Sequence, residues 1–86
     1  MDNKSKIFEF LYKNHGNGYN INQIARMLGI SVGSAFKVLK NLEKADNVMV
    51  NRRNNALFYE VNESGRAKEF YEAIEEKENK KRKKKT

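Results

Sequence analysis

The stretch that decides the fold is residues 20–46, NINQIARMLGISVGSAFKVLKNLEKAD. Its apolar residues recur every three or four positions on both sides of Gly29, which predicts two amphipathic helices joined by a tight turn. Asn20 and Gln23 form a capping-box variant at the start of the first helix, and Ser31 is a natural N-cap for the second. The apolar set is Ile24, Leu28, Ile30, Ala35, Val38, Leu39 and Leu42. This spacing is typical of a helix-turn-helix, whose second helix enters the major groove of DNA.

The second of these helices, predicted over about 31–45, has a polar face suited to a nucleic acid. Its inward face is predicted to hold Val32, Ala35, Val38, Leu39, Leu42 and Ala45, with Phe36 at the edge of this face. Phe36 is expected to be peripheral core, and contact with a thymine methyl group is the alternative. Lysines gather opposite, where they can neutralise phosphates or donate to guanine, although any solvated helix may carry such a face. Asn47 is expected to end the helix in a left-handed conformation. The predicted contact residues are Ser31, Gly33, Ser34, Lys37, Lys40, Asn41 and Lys44.

Residues 48–61 are predicted to form a β-hairpin, the wing, around Asn54 and Asn55. Both asparagines tolerate the positive φ that a two-residue turn requires, and the resulting register pairs Val50 with Tyr59. The face turned toward the helices is then Val48, Val50, Leu57, Tyr59 and Val61. The tip residues predicted to reach a minor groove or flanking phosphates are Arg52, Arg53, Asn54 and Asn55. A solvated turn would carry similar residues, so the tip indicates nucleic-acid contact only in combination with the neighbouring helix.

The first and last predicted helices flank this unit. Residues 2–14 carry an apolar arc wider than one packing surface needs, which fits either aromatic overflow onto the surface or contact with a second subunit. Residues 63–79, capped by Asn62, carry a narrow apolar stripe among many Glu. Such a helix suits a subunit contact or a lid packed on its own domain better than a DNA surface. Candidate dimer contacts are Phe8, Phe10, Tyr12, Phe70, Tyr71 and Ile74.

The net charge of +7 is distributed unevenly along the 86 residues. Residues 77–85 hold seven Lys or Arg against one Glu, so this run carries +6 and the preceding 76 residues carry only +1. Residues 34–53 carry +3 and residues 60–76 carry −4, which predicts a basic and an acidic side. Residues 80–86 lack apolar side chains and are predicted to be a disordered basic tail that follows a domain of residues 1–79.

Several chemistries are excluded by what the sequence lacks. Cysteine is absent, which excludes disulfides, thiolate metal sites and thiol nucleophiles. No nucleophile–base pair, paired carboxylates or phosphate-binding glycine motif can be assembled, so no enzyme, metal or cofactor is expected. No apolar run approaches the ~20 residues of a membrane span, and no secretory segment follows Met1. A cytoplasmic protein without a membrane partner is therefore expected, or a nuclear one if the host has a nucleus.

A set of residues between positions 20 and 65 matches a family pattern. They are Ile24, Ala25, Leu28, Gly29, Ile30, Ser31, Ser34, Ala35, Lys37, Leu39, Leu42, Glu43, Tyr59, Glu60, Val61, Asn62 and Gly65, followed by Arg66. With this order of elements, the sequence resembles the archaeal and bacterial regulator superfamily that includes the MarR and ArsR repressor families. The resemblance implies an α+β, mostly helical winged helix-turn-helix of three helices, a two-stranded wing and a C-terminal helix. It also implies a homodimer on pseudo-palindromic double-stranded DNA, with the third helix in the major groove and the wing alongside.

The sequence departs from those families in three places. Asp46 and Asn47 stand where a glycine usually ends the recognition helix, which should affect only the turn. ArsR-type regulators sense metals through Cys and His, and this chain has no cysteine. The terminal helices are short for a cleft of the kind that binds drugs in MarR-type dimers, which argues against a small-molecule effector.

Three functions compete at this point. The leading one is a small sequence-specific transcription regulator that binds double-stranded DNA. The second keeps the fold and changes the partner to RNA or the ribosome, which a near-neutral body with a basic tail would fit. The third is a winged-helix protein-interaction module that uses the aromatic residues of the first helix.

Overall fold

A computed structural model of the chain describes residues 2–63 and 67–83, with side chains up to residue 77. Three helices, an antiparallel hairpin and a fourth helix follow one another in the predicted order. They are α1 (Asn3–Lys13), α2 (Ile21–Leu28), α3 (Val32–Lys44), β1 (Val48–Arg53), β2 (Ala56–Val61) and α4 (Ala67–Lys83).

The predicted helix boundaries at α1 and α2 are confirmed by their caps. The Ser5 backbone N–H donates to Oδ1 of Asp2 at 2.8 Å, and this bond lowers the pKa of the Asp2 carboxyl. At α2, the N–H of Gln23 donates to Oδ1 of Asn20 at 2.8 Å, while the N–H of Asn20 donates to Oε1 of Gln23 at 2.9 Å. This reciprocal pair is a complete capping box. Gly29 ends α2 in the left-handed region with φ of 68°.

The ends of α3 are set by one predicted and one unpredicted residue. Ser31 caps the start, since the N–H of Ser34 donates to its Oγ at 3.1 Å. At the other end the prediction for Asn47 was wrong, because the left-handed residue is Asp46, with φ of 60°. Asn47 is instead buried, and its N–H donates to the carbonyl of Leu42 at 2.9 Å. A buried side chain fixes Asn47 in the core, so the reversal falls on the exposed residue before it.

The core is built around α1, which packs against α2, α3, α4 and β2. The buried apolar residues of the core come from all four helices and both strands: Ile7, Phe8, Leu11, Ile24, Ala25, Ala35, Leu39, Leu42, Val48, Tyr59, Val61, Ala67 and Ile74. The wide apolar arc of the first helix is therefore explained within one chain, because a central helix needs apolar residues around most of its circumference.

Aromatic rings join α1 to α4. The rings of Tyr12 and Tyr71 stack with centroids 4.2 Å apart and planes 9° apart, and those of Phe8 and Phe70 lie 4.6 Å apart. Two of the predicted dimer contacts are thereby corrected. Phe8 and Ile74 are 0% and 5% exposed, so both belong to the core of the single chain and neither is accessible to a second subunit.

The hairpin has the predicted register and turn. Val50 pairs with Tyr59, and Asn54 and Asn55 take φ of 47° and 68°, the two positive values that a type I′ turn requires. Tyr19 adds a bridge on the other edge of β2, where its N–H and carbonyl both bond to Tyr59 at 3.0 and 2.8 Å. The hairpin is thus anchored to the segment that leads into α2.

The fourth helix differs from its predicted bounds at both ends. Glu63 is not helical, and the side-chain amide of Asn62 donates to the carbonyl of Asp46 at 2.8 Å. Residues 64–66, where the predicted first turn of this helix falls, lie outside the described residues. At the other end the backbone stays helical to Lys83, so the helix does not stop at residue 79. Residues 84–86 of the predicted tail also lie outside the described part.

Candidate nucleic-acid interface

The outward face of α3 is cationic and accessible. Lys37, Lys40 and Lys44 are all exposed, and within the described part of the chain none of the three forms an ion pair. Gly33 has open space where a side chain would extend, so its backbone can approach a partner closely. Of the predicted contact residues, Ser31, Gly33, Lys37, Lys40, Asn41 and Lys44 are exposed and Ser34 is half-buried.

The two serines at the start of α3 already bind each other. The hydroxyl of Ser31 donates to Oγ of Ser34 at 2.9 Å, while the same Ser31 oxygen accepts the backbone N–H of Ser34. Oγ of Ser34 keeps its own hydroxyl proton for an outside acceptor, so this pair can still donate to a phosphate or base.

The tip of the hairpin is exposed. Arg52, Arg53, Asn54 and Asn55 are all exposed, and neither arginine forms an ion pair with a described carboxylate. The guanidinium of Arg53 lies 5.7 Å from the ring centroid of Phe58, a cation–π contact that biases its direction.

Two shallow depressions adjoin on this side of the domain, and Phe36 lines both. The first runs along α3 and is lined by Phe36, Lys37, Lys40, Asn41 and Lys44. The second lies between α3, the start of α2 and the base of β2, and is lined by Asn20, Ile21, Asn22, Phe36, Ala56, Leu57 and Tyr59. Because Arg52 and Arg53 pair with Leu57 and Ala56 across the hairpin, the arginines lie next to the second depression. The structure thus brings the lysines of α3 and the hairpin together on one surface.

No protein-family model matches the sequence. No curated protein matches it either. Solved structures do match its fold. Against a mutant of MepR from S. aureus, bound to an oligodeoxyribonucleotide, the TM-score is 0.74 at 18% identity, over 98% of this chain and 62% of that one. Against Sso10a-2, a DNA-binding protein from Sulfolobus solfataricus, it is 0.73 at 24% identity, over 99% of this chain and 90% of that one.

A third neighbour is a MarR-family transcriptional regulator from a Rhodococcus species, with TM-score 0.63 and 18% identity, over 87% of this chain. The fold is a winged helix-turn-helix. The predicted resemblance and fold class are thereby confirmed at the level of the fold. The chain spans less than two thirds of the MepR and Rhodococcus chains, at 62% and 58% of their lengths.

Three apolar residues of this winged helix are more exposed than the sequence predicted. Phe36, expected at the edge of the core, is 47% exposed, and Val32, expected to face inward, is 45% exposed. Leu57, expected on the inward face of the wing, is 40% exposed. On a helical projection Val32 and Phe36 lie about 60° and 100° from Ala35. The part of α3 that α1 and α2 cover does not extend as far as these two angles. Helical periodicity does not show where the covered part ends, and for this reason it assigned both side chains to the core. Ala45 at the end of α3 is exposed as well.

A group of acidic side chains lies on α4, away from the lysine-bearing face of α3. Glu69, Glu72 and Glu76 of α4 are exposed, and α4 packs against α1. Groups that could hold a metal ion are absent from residues 2–63 and 67–83. No helix in those same ranges is long and apolar enough to span a membrane.

Proposed function

We propose that the chain binds double-stranded DNA sequence-specifically as a small transcription regulator. Residues 31–45 would enter the major groove, and the wing, residues 48–61, would contact the flanking backbone or minor groove. The observation that carries the proposal is the group of five exposed cations on the recognition helix and wing, none of which forms an ion pair with a described carboxylate. They are Lys37, Lys40, Lys44, Arg52 and Arg53.

The physical reason is electrostatic. Cations that form no ion pair with a described carboxylate are available for phosphates, and each phosphate neutralised releases condensed counterions. The glutamates of α4 between residues 69 and 76 lie on another element, which packs on α1, so they are not interleaved with these cations. DNA binding in structural neighbours, MepR with an oligodeoxyribonucleotide and Sso10a-2, supports the same partner class for this fold. A DNA-bound regulator acts where the DNA is, which is the cytoplasm in a cell without a nucleus.

We assign different roles to the helix and the wing. Ser31, Gly33 and Ser34 lie at the N-terminal end of α3, where recognition helices meet base edges, and Lys37, Lys40 and Asn41 continue that surface. Lys44, Arg52 and Arg53 would mainly hold the domain on the backbone, with Asn54 and Asn55 forming the turn that presents the arginines.

A salt series on two variants tests these roles. The probe is the duplex most enriched from a random double-stranded DNA library by the full chain. Lys37→Ala should weaken binding to this duplex by roughly 1–3 kcal/mol and relax preference at one position, because a base contact is lost. Arg53→Ala should weaken all duplexes alike and reduce the salt slope by about one, because a phosphate contact is lost.

Lys6→Ala serves as the matched control, since Lys6 is an exposed lysine on α1 rather than on α3 or the wing. Unchanged affinity in both interface variants, with the control behaving identically, would falsify the docking arrangement. Structured RNA as a competitor tests the partner class. If RNA displaces the selected duplex at equal concentration, the chain is an RNA-binding winged helix instead.

We further propose that the chain acts as a homodimer. Phe10, Tyr12, Phe70 and Tyr71 are half-buried, so these predicted contacts keep apolar surface that a second copy could cover. They lie on α1 and α4 rather than on the lysine-bearing face of α3. Two copies joined there would leave both DNA-binding faces free.

A further inference from the structure

Two exposed apolar side chains form a strip within the cationic face of α3. Val32 and Phe36 are 45% and 47% exposed and lie four residues apart, which makes them neighbours on one side of the helix. Gly33 and Lys40 border the strip, and Nζ of Lys40 lies 5.6 Å from the ring centroid of Phe36. We name this pair the apolar strip.

The setting of the strip specifies its partner. Single exposed apolar residues are ordinary on protein surfaces, but this pair lies beside Lys37, Lys40 and Lys44, which form no ion pairs with described residues. A partner that satisfies both features must be anionic and must also present apolar groups at the same place. In the major groove of DNA, the apolar group on the base edges is the C5-methyl of thymine.

The position of the strip along α3 fits base contact. Val32 is the first residue of α3, and Phe36 lies one turn later. Recognition helices meet base edges with their N-terminal residues. The contact between Phe36 and Lys40 would hold the ring beside a cation, so that methyl and phosphate or guanine contacts form side by side.

We infer that the apolar strip reads thymine methyl groups, which makes Val32 and Phe36 specificity-determining residues. This inference rests on the proposed DNA-binding function. Lys37 and Lys40 then supply affinity and guanine contacts, while the strip distinguishes thymine from cytosine, which lacks the methyl group. The preferred duplex should therefore carry one or two thymines at fixed positions beneath the N-terminal end of α3.

Replacing thymine by deoxyuridine removes only the methyl group. This replacement is therefore the most specific probe of a contact with that group. The full chain is measured on its selected duplex, with each thymine replaced singly. At one or two positions the affinity of the natural chain should fall roughly fourfold, the value of one buried methyl group. Phe36→Ala or Val32→Ala should bind the thymine duplex more weakly and lose the fourfold discrimination at its own position. Phe36→Leu, which stays apolar, should retain part of it.

Met27→Ala provides the matched control. Met27 is 58% exposed and apolar, and it lies on α2, outside both α3 and the wing. This variant should keep the full discrimination. Phe36 is exposed, so its replacement should leave the helical circular dichroism spectrum unchanged.

The outcomes separate the inference from the function on which it rests. A natural chain that prefers one duplex but is indifferent to every deoxyuridine, or prefers a duplex without thymine, overturns the inference alone. Full discrimination in both Phe36→Ala and Val32→Ala overturns it too. A natural chain that enriches no duplex overturns the proposed function itself.

Discussion

At the scale of single residues, replacing two glycines by alanine should change the stability of the fold in opposite directions. Gly29 ends α2 with φ of 68°, a conformation that L-residues adopt at a cost, although no atom lies within 4 Å of where its Cβ would be. Gly29→Ala should therefore lower the free energy of unfolding by about 1 kcal/mol through the backbone alone. Chemical denaturation followed by circular dichroism measures this change.

Gly33 provides the comparison, because it is helical and also has open space around its missing Cβ. Gly33→Ala should raise the free energy of unfolding, by about 0.5 kcal/mol so near the helix end, and should still weaken DNA binding by blocking close approach. Equal effects of the two substitutions on stability would contradict this distinction. A Gly33→Ala variant with full DNA affinity would remove Gly33 from the interface.

The residues of the candidate site were predictable where helical periodicity alone decided them. Lys37, Lys40 and Lys44 share one face because of their spacing, and no tertiary contact alters that. Phe36 and Val32 could not be assigned in this way, since their exposure depends on how much of α3 the other helices cover. Helical projection gives an angle, whereas the width of the buried face is a tertiary property.

At the scale of elements, prediction succeeded where a local hydrogen bond defines the boundary. The capping box at Asn20, the cap at Ser31 and the Asn54–Asn55 turn each involve residues within three positions of one another. The end of α3 depended instead on contacts distant in sequence. The side-chain amide of Asn62, for example, donates to the carbonyl of Asp46, which lies sixteen residues away.

The cap of α1 gives a pH-dependent prediction at this scale. The backbone N–H of Ser5 is the main cause that lowers the pKa of the Asp2 carboxyl in the folded chain. A lowered folded pKa means that the carboxylate stabilises the fold above its ordinary pKa of about 4, and that this stability is lost as the pH falls through the folded value. Asp2→Ala should therefore destabilise the chain at about pH 7 and have less effect at about pH 2.

Asp2→Asn is the control for this titration, because an asparagine amide caps a helix without a titrating group. The difference in stability between Asp2→Ala and Asp2→Asn should remain as the pH falls, since neither side chain ionises. If the effect of Asp2→Ala were the same at both pH values, the carboxylate would not be the group that matters at this cap.

At the scale of the whole molecule, α1 lies between two clusters of opposite charge. It packs against α3 and against α4, so the lysines of α3 and the glutamates of residues 69–76 lie on different elements around it. The net charge of +7 did not predict this arrangement, because most of it belongs to residues 77–85. Counting charge over residues 34–53 and 60–76 did predict it, since the first segment covers most of α3 with β1 and the second covers the first part of α4.

The proposed homodimer makes a prediction about DNA as well as about mass. A two-fold dimer presents two recognition helices, so the duplex selected from a random library should be a pseudo-palindrome with half-sites about 10–10.5 base pairs apart, or a multiple of this spacing. Sedimentation of the full chain should give a dimer well below ~100 µM, because a weaker association would leave the monomer dominant under binding conditions.

Inserting five base pairs between the half-sites turns one of them to the opposite side of the duplex and should abolish two-site binding, whereas inserting ten restores the phase. A monomer in sedimentation together with a single, non-repeated site would refute the dimer and leave the recognition helix intact. A monomer on a pseudo-palindrome would mean instead that two copies assemble only on DNA.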